Sequence, residues 1–148
     1  MDRQEIKGVV VRQDLTDEWE KRGIEEEKDF AILTAEISKT AFGMTPKEYK
    51  NFKGLKNENL RDHMTDLELI FGMLGEASTS EIEKAQDPNT FEEHLEVSNK
   101  GGIIARNARL ELEEETGESV VSEENYLTQE EKMARQKRKK KVLLNMAQ

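Results

Sequence analysis

Apolar residues recur along the chain at the three- and four-residue spacing that places them on one face of a helix. The clearest run predicts a helix over about 28–42, and similar runs cover 65–74 and 103–116. The one strand-like patch, at 9–11, has three β-branched residues and is too short to make a sheet. The pattern therefore predicts an all-α fold.

Start and stop signals divide this pattern into short helices. In a capping box, a Ser or Thr hydroxyl accepts from an amide of the first helical turn, and a Glu three residues later reaches back to the cap residue. Such pairs are Thr45/Glu48, Thr65/Glu68, Ser78/Glu81, Thr90/Glu93 and Thr128/Glu131. Glycines that we expect to end helices are Gly23, Gly43, Gly75 and Gly117. We therefore predict a compact bundle of short capped helices.

The two ends differ from this centre. Residues 1–14 have no clear period and are predicted to be a linker, a short helix or an arm, followed by a short helix at 17–22. Residues 15–127 form the predicted helical domain, which ends in a connector at 119–128. Residues 128–148 are predicted to be a basic C-terminal helix or tail that projects from the domain, because so few of them are apolar.

Composition narrows the class of protein. The chain has 148 residues, of which 37% are charged, so one domain with a modest core is expected. It has no Cys, which excludes a thiol nucleophile, disulfides and cysteine-based zinc sites. It has no signal peptide and no apolar run long enough to span a bilayer. We therefore expect a cytoplasmic protein without membrane contact.

The net charge of −9 is distributed unevenly. Residues 1–60 have a net charge of −2, residues 61–131 have −14, and residues 132–148 have seven basic residues and no acidic ones. A basic end on an acidic body is typical of contact with nucleic acid or with an acidic partner. The alternative is a tail that only aids solubility.

Three groups of basic residues are candidates for nucleic-acid binding. Lysines bind phosphates and aromatic rings stack on bases, so lysines interleaved with Tyr49 and Phe52 suggest such a surface. Lysines three residues apart drift about 60° around a helix at each step, however, so we favour a solvated helix with both rings packed inward and keep nucleic-acid binding as the alternative. A glycine pair before a helix predicted at 103 suggests an anion site that two arginines would face, or else a tight turn. The candidates are Lys47, Lys50, Lys53, Lys56, Arg106, Arg109, Arg135, Lys137, Arg138, Lys139, Lys140 and Lys141.

No catalytic motif is present in the sequence. His63 and His94 do not have the spacing of a metal-binding helix, and no phosphate-binding loop occurs. Asp62, His63 and Asp66 are the weak alternative, as a metal-dependent nuclease site, but we favour hydrogen bonding of His63 in a turn and a solvated helix start for the two aspartates. We expect no enzymatic activity, no cofactor and no metal.

A family resemblance rests on the sequence MTPKEYKNFKGLK at 44–56 and ENLRDHMT at 58–65. Further matches are FAILT at 30–34, MLGEASTSEI at 73–82, the glycine pair with Ala105, Ala108 and Arg109, and Thr116-Gly117 with Val120-Val121. From about Glu5 to Tyr126, the chain resembles the C-terminal region of bacterial DNA-damage-inducible protein D and of BRO-family, phage antirepressor-like proteins. Members of that family have an N-terminal BRO-type domain, thought to contact DNA, and nothing in this chain resembles it.

The resemblance implies a non-enzymatic role in the DNA-damage (SOS) response or in phage regulation. It supplies no catalytic residues. We expect an interaction module that acts on a protein of recombination or repair, or on a phage repressor, with DNA contact as a secondary role. The alternative is a domain that binds DNA directly through Lys47, Lys50, Lys53, Lys56 and the basic tail. The sequence leaves the partner and the oligomeric state open.

Overall fold

The computed structural model describes residues 3–147, and these form six α-helices joined by short segments. The helices are α1 (Arg3–Lys21), α2 (Glu27–Phe42), α3 (Pro46–Phe52), α4 (Asp66–Gln86), α5 (Phe91–Thr116) and α6 (Gln129–Ala147), with one 3₁₀ turn at Arg61–His63. Residues 3–147 contain no strand, so the all-α prediction is confirmed. α4 packs along α5, α2 packs on α5, and α1 packs on α4.

The interior contains two apolar clusters. One joins α2, α3, α4 and α5 to the connector, and its buried members are Ala41, Phe42, Tyr49, Phe71, Ala105 and Val120. The other joins α1 to α2, and its buried members are Leu15, Trp19, Ile24, Leu33 and Ile37. Both clusters are small, as the composition predicts.

A buried polar cluster ties α1, α4 and α5 together. The Glu83 carboxylate accepts from the indole Nε1 of Trp19 at 3.2 Å and lies 2.8 Å from Nδ1 of His94. All three side chains are almost completely buried. Burial raises the pKa of Glu83, against the effect of His94 and Trp19. His94 therefore has a structural partner inside the bundle.

A glycine pair in the middle of α5 allows two helices to approach it closely. A Cβ atom on Gly101 would overlap the Thr79 hydroxyl on α4 and lie 2.8 Å from the Gly75 carbonyl oxygen. A Cβ atom on Gly102 would lie 2.6 Å from the Cβ of Thr40 on α2. The prediction that these glycines form a turn or an anion site before a helix at 103 is therefore wrong. They lie inside a helix that begins at Phe91, and their role is packing.

Two other predicted helix boundaries are wrong, because the residues concerned lie inside α4. Gly75 does not end a helix, because α4 continues to Gln86, and a Cβ at this position would lie 3.1 Å from Ile37. The Ser78/Glu81 pair lies within α4 and caps nothing. Of the three alternatives for residues 1–14, the linker and the arm are wrong for residues 3–14, which are helical and belong to α1, whose Leu15 and Trp19 are buried. Residues 1, 2 and 148 lie outside the described part.

The remaining caps are confirmed. Thr45 and Thr65 form reciprocal capping boxes at the starts of α3 and α4, and Thr128 exchanges the same pair of bonds with Glu131 at the start of α6. Thr90 caps α5 through the Glu93 amide. α2 and α5 end at glycines with φ of 79° and 74°, the left-handed conformation that favours glycine.

Candidate interaction surface

Lys53, one of the predicted nucleic-acid ligands, is buried. Its Nζ donates to Glu68 at 2.8 Å and to the carbonyl oxygens of Ser122 and Glu124 at 2.7 Å each. The Lys53 and Glu68 side chains are both fully inaccessible to solvent. The prediction that Lys53 contacts nucleic acid is therefore wrong. Its three N–H groups hold the connector against α3 and α4.

Glu68 is the centre of this buried cluster. Its carboxylate accepts from the Tyr49 hydroxyl, from the Thr65 amide at 2.9 Å and from Lys53. Burial, followed by the contact with Glu68, raises the pKa of Tyr49 well above its usual value. The expectation that Tyr49 packs inward is confirmed. Phe52 does not pack inward, since 40% of it is exposed.

The other three lysines of the 47–56 segment do not form one surface. Lys47 is exposed at the start of α3, and Lys50 is half-buried beside a cleft between α2 and α4. Lys56 lies past the end of α3, in a groove that it shares with Lys132 and Lys139 of α6. Only Lys56 of this group is therefore placed with the basic C-terminal residues.

Arg106 and Arg109 lie in the second half of α5, far along the chain from its N-terminus at Phe91. The predicted anion site at a helix start is therefore wrong. Arg109 donates to the Ala41 carbonyl oxygen at 2.8 Å and to Glu113 at 2.9 Å, so it fastens α5 to the end of α2. Arg106 is exposed beside it, in a shallow depression next to α2.

α6 is attached to the body at its N-terminal half. His63, in the 3₁₀ turn, lies 2.9 Å from Glu131. Arg135 donates to the Gly54 carbonyl oxygen and lies 3.3 Å from Glu58, and Arg138 lies 4.0 Å from Glu58. These contacts hold the first half of α6 against the 54–63 segment.

The rest of α6 is presented to solvent. Among its described side chains, only those of Glu131 and Arg135 are even partly buried. The exposed basic residues are Lys132, Lys137, Arg138, Lys139, Lys140 and Lys141. Five of these are lysines, and none of those lysines has an ion-pair partner within residues 3–147. The prediction of a projecting basic helix is confirmed, and the helix is anchored at one end.

Both ring nitrogens of His63 face oxygen atoms. Nδ1 lies 2.7 Å from the Asn59 carbonyl oxygen, and Nε2 lies 2.9 Å from Glu131. A neutral imidazole donates from one nitrogen only, so this geometry favours the protonated ring. Burial lowers the pKa of His63, but the Asn59 carbonyl and then Glu131 outweigh it and raise the pKa above its usual value. The Thr128 amide, followed by His63, lowers the pKa of Glu131.

These pKa shifts predict that the contact between His63 and Glu131, which attaches α6 to the body, depends on pH. Protonated His63 stabilises the attachment of α6 fully at pH values below its pKa in the unfolded chain, and this stabilisation is lost as pH rises through its raised pKa in the folded chain. Ionised Glu131 stabilises the attachment above its pKa in the unfolded chain, and this stabilisation is lost as pH falls through its lowered pKa in the folded chain. We therefore expect amides 131–136 to be better protected from hydrogen exchange at about pH 6 than at about pH 8, after correction for intrinsic rates.

A His63→Gln variant is the control for this pH effect, and residues 33–38 of α2 are the internal reference. The variant should lose the difference between the two pH values, while α2 keeps the same protection throughout. Equal protection of 131–136 at both pH values in the unsubstituted chain would contradict the assignment.

The alternative metal site is not supported by the arrangement of its residues. His63 uses both ring nitrogens for Asn59 and Glu131. Within residues 3–147, no group of three or more His, Asp or Glu side chains is placed to hold a metal ion. In the same part of the chain, no helix has the length and apolarity needed to cross a membrane.

Comparison with protein-family models found no match, and neither curated proteins nor solved structures showed significant similarity to the chain. The resemblance to DNA-damage-inducible protein D and the BRO family therefore stays a prediction. The attachment of α6 through Glu58 and His63 was missed from the sequence, since 68 positions separate His63 from Glu131 and no local pattern connects them.

Proposed function

We propose that this chain is a non-enzymatic regulatory module that binds a protein partner through the exposed face of α6. The partners that the family resemblance implies are a protein of DNA recombination or repair, or a phage repressor. The observation that carries the proposal is a 19-residue helix whose lysines have no partner inside the described chain. A helix that adds so little to the core is better explained by contacts outside the chain than by stability.

The apolar residues of α6 favour a protein over a duplex as the main partner. Val142, Leu143, Leu144 and Met146 are each more than half exposed, directly after the basic run. Phosphate contacts need only the lysines and arginines, whereas a protein groove with an acidic rim also accommodates apolar side chains. The acidic body, with a net charge of −14 over residues 61–131, would also repel a duplex that lies across it.

Two charge-matched variants test this proposal. In the first, Lys137, Lys139, Lys140 and Lys141 of α6 are replaced by Gln; in the second, the exposed body lysines Lys28, Lys39, Lys84 and Lys100 are replaced by Gln. Proteins that co-purify with each tagged variant are quantified by mass spectrometry. We expect a defined protein to be lost with the α6 variant and retained with the body variant. Equal recovery with both variants would contradict the proposal.

Direct DNA binding is the second candidate, and the groove shared by Lys56, Lys132 and Lys139 favours it. Such binding would weaken linearly with the logarithm of salt concentration, with a slope of about 0.9 for each phosphate contacted. Fluorescence anisotropy with a labelled duplex measures this slope. Reversing the charge of these three lysines must then reduce both affinity and slope. If neither changes, direct DNA binding through this surface is excluded.

A further inference from the structure

We propose that two copies of this chain associate, with the outer face of α6 in one copy lying antiparallel on the outer face of α5 in the other. This contact is separate from the proposed regulatory function, although both use α6. Both faces are exposed within the described chain, they have charges of opposite sign, and each also has exposed apolar side chains.

The α6 face is defined by a helical repeat of i, i+3, i+4 and i+7. Lys137, Lys140, Lys141 and Leu144 lie on one side of the helix at this spacing. This side is opposite to the one that contains Arg135 and meets the 54–58 segment. Leu144 is 67% exposed. The outer face of α6 is therefore three lysines followed by an apolar residue.

The α5 face has the matching chemistry. Glu111, Glu114 and Glu115 are exposed on the last turns of α5, and none of them has an ion-pair partner within residues 3–147. Ile104, 44% exposed, lies in line with Glu111 and Glu115 along the helix, and Leu110, 48% exposed, lies one turn before Glu114, so the two apolar residues are about 120° apart. The outer face of α5 therefore has an apolar residue towards each edge, followed by three glutamates.

The order of these residues fixes the direction of the contact. Along α5 the apolar residues precede the charges, whereas along α6 the charges precede Leu144. Only an antiparallel arrangement places the three lysines on the three glutamates and the apolar residues on each other. At a rise of about 1.5 Å per residue, Leu144 then lies between Ile104 and Leu110 of the other copy.

Attachment of α6 explains why the second copy, and not the same chain, is the occupant. The Glu131 and Arg135 contacts hold α6 beside the 54–63 segment, and no ion pair joins its lysines to the α5 glutamates within residues 3–147. Association through these faces covers the outer side of α6. Self-association and capture of a partner on that side would then compete.

Charge reversal in two complementary variants tests the contact by sedimentation velocity. One variant has Lys137→Glu, Lys140→Glu and Lys141→Glu, and the other has Glu111→Lys, Glu114→Lys and Glu115→Lys. A control variant has Lys28→Glu, Lys39→Glu and Lys84→Glu on the body. Circular dichroism checks that all of them retain helix.

We expect the unsubstituted chain and the control to associate at about 20 mM salt and to dissociate at about 0.5 M, where charges are screened within a few ångströms. Each reversed variant alone should be monomeric, because like charges then face each other. An equimolar mixture of the two reversed variants should associate again, because α6 of either variant then faces opposite charges on α5 of the other variant. A monomeric unsubstituted chain at low salt, association of either reversed variant alone, or a monomeric mixture would overturn the proposal.

Discussion

Replacing Lys53 with Met will lower the free energy of unfolding by about 3–5 kcal/mol, the largest single-residue effect that we expect in this chain. The Met side chain retains most of the apolar stem but removes the charge. Glu68 is then left as a buried carboxylate without its cation, and the carbonyl oxygens of Ser122 and Glu124 lose their donor. Urea denaturation, followed by the fluorescence of Trp19, measures the change.

Lys47→Met is the matched control, because Lys47 is exposed on α3, the helix that Lys53 caps at its C-terminal end. It should change the free energy of unfolding by no more than about 0.5 kcal/mol. Adding Glu68→Gln to Lys53→Met should recover part of the lost stability, because the neutral amide removes the unpaired charge. If Lys53→Met and Lys47→Met unfold at the same urea concentration, the buried ion pair has no role in stability.

Gly101→Ala is the second substitution for which we expect a large loss of stability, with the free energy of unfolding lowered by about 3 kcal/mol. An alanine normally favours a helix over a glycine by about 1 kcal/mol. At this position its Cβ meets the Thr79 hydroxyl and the backbone of α4, including the Gly75 carbonyl oxygen at 2.8 Å. Backbone atoms in a packed helix cannot rotate away, so α4 and α5 must separate. Thermal and urea denaturation both report the loss.

Gly72→Ala, within α4, is the control, and we expect it to raise the free energy of unfolding rather than lower it. Its Cβ would lie 3.8 Å from the Phe42 ring, an ordinary van der Waals contact. The substitution should therefore stabilise the chain by about 0.5–1 kcal/mol through helix propensity alone. A Gly101→Ala variant as stable as Gly72→Ala would show that the close approach of α4 and α5 is not needed.

The helix starts were predictable because caps are local. Thr45, Thr65 and Thr128 satisfy amides three residues away, so their chemistry is visible in a short stretch of sequence. Glycines were less informative, because Gly43 provides a left-handed end to a helix whereas Gly75 provides room for a neighbouring helix. The two roles need the same residue, and only the packing of distant segments distinguishes them.

The burial of Lys53 was within reach of the sequence. Tyr49 and Lys53 are four residues apart and so share a helix face, which means that an inward Tyr49 implies an inward Lys53. Phe52, three residues from Tyr49, meets the same spacing rule but is 40% exposed, so the spacing favoured an inward Lys53 without deciding it. The buried acceptors of Lys53 were not predictable, since Ser122 and Glu124 lie 69 and 71 positions away. The same holds for Glu58, whose contacts with Arg135 and Arg138 depend on the path of the connector.

The central claim is that α6, rather than the helical body, binds the protein partner. Site-specific photo-cross-linking in cells tests it most directly, with the cross-linking residue placed at Lys140 of α6 or, in a matched chain, at Lys39 of α2. Both positions are exposed lysines. We predict a discrete adduct with a protein other than this chain from position 140 and none from position 39. The same adducts from both positions, or an adduct from position 39 alone, would contradict the claim.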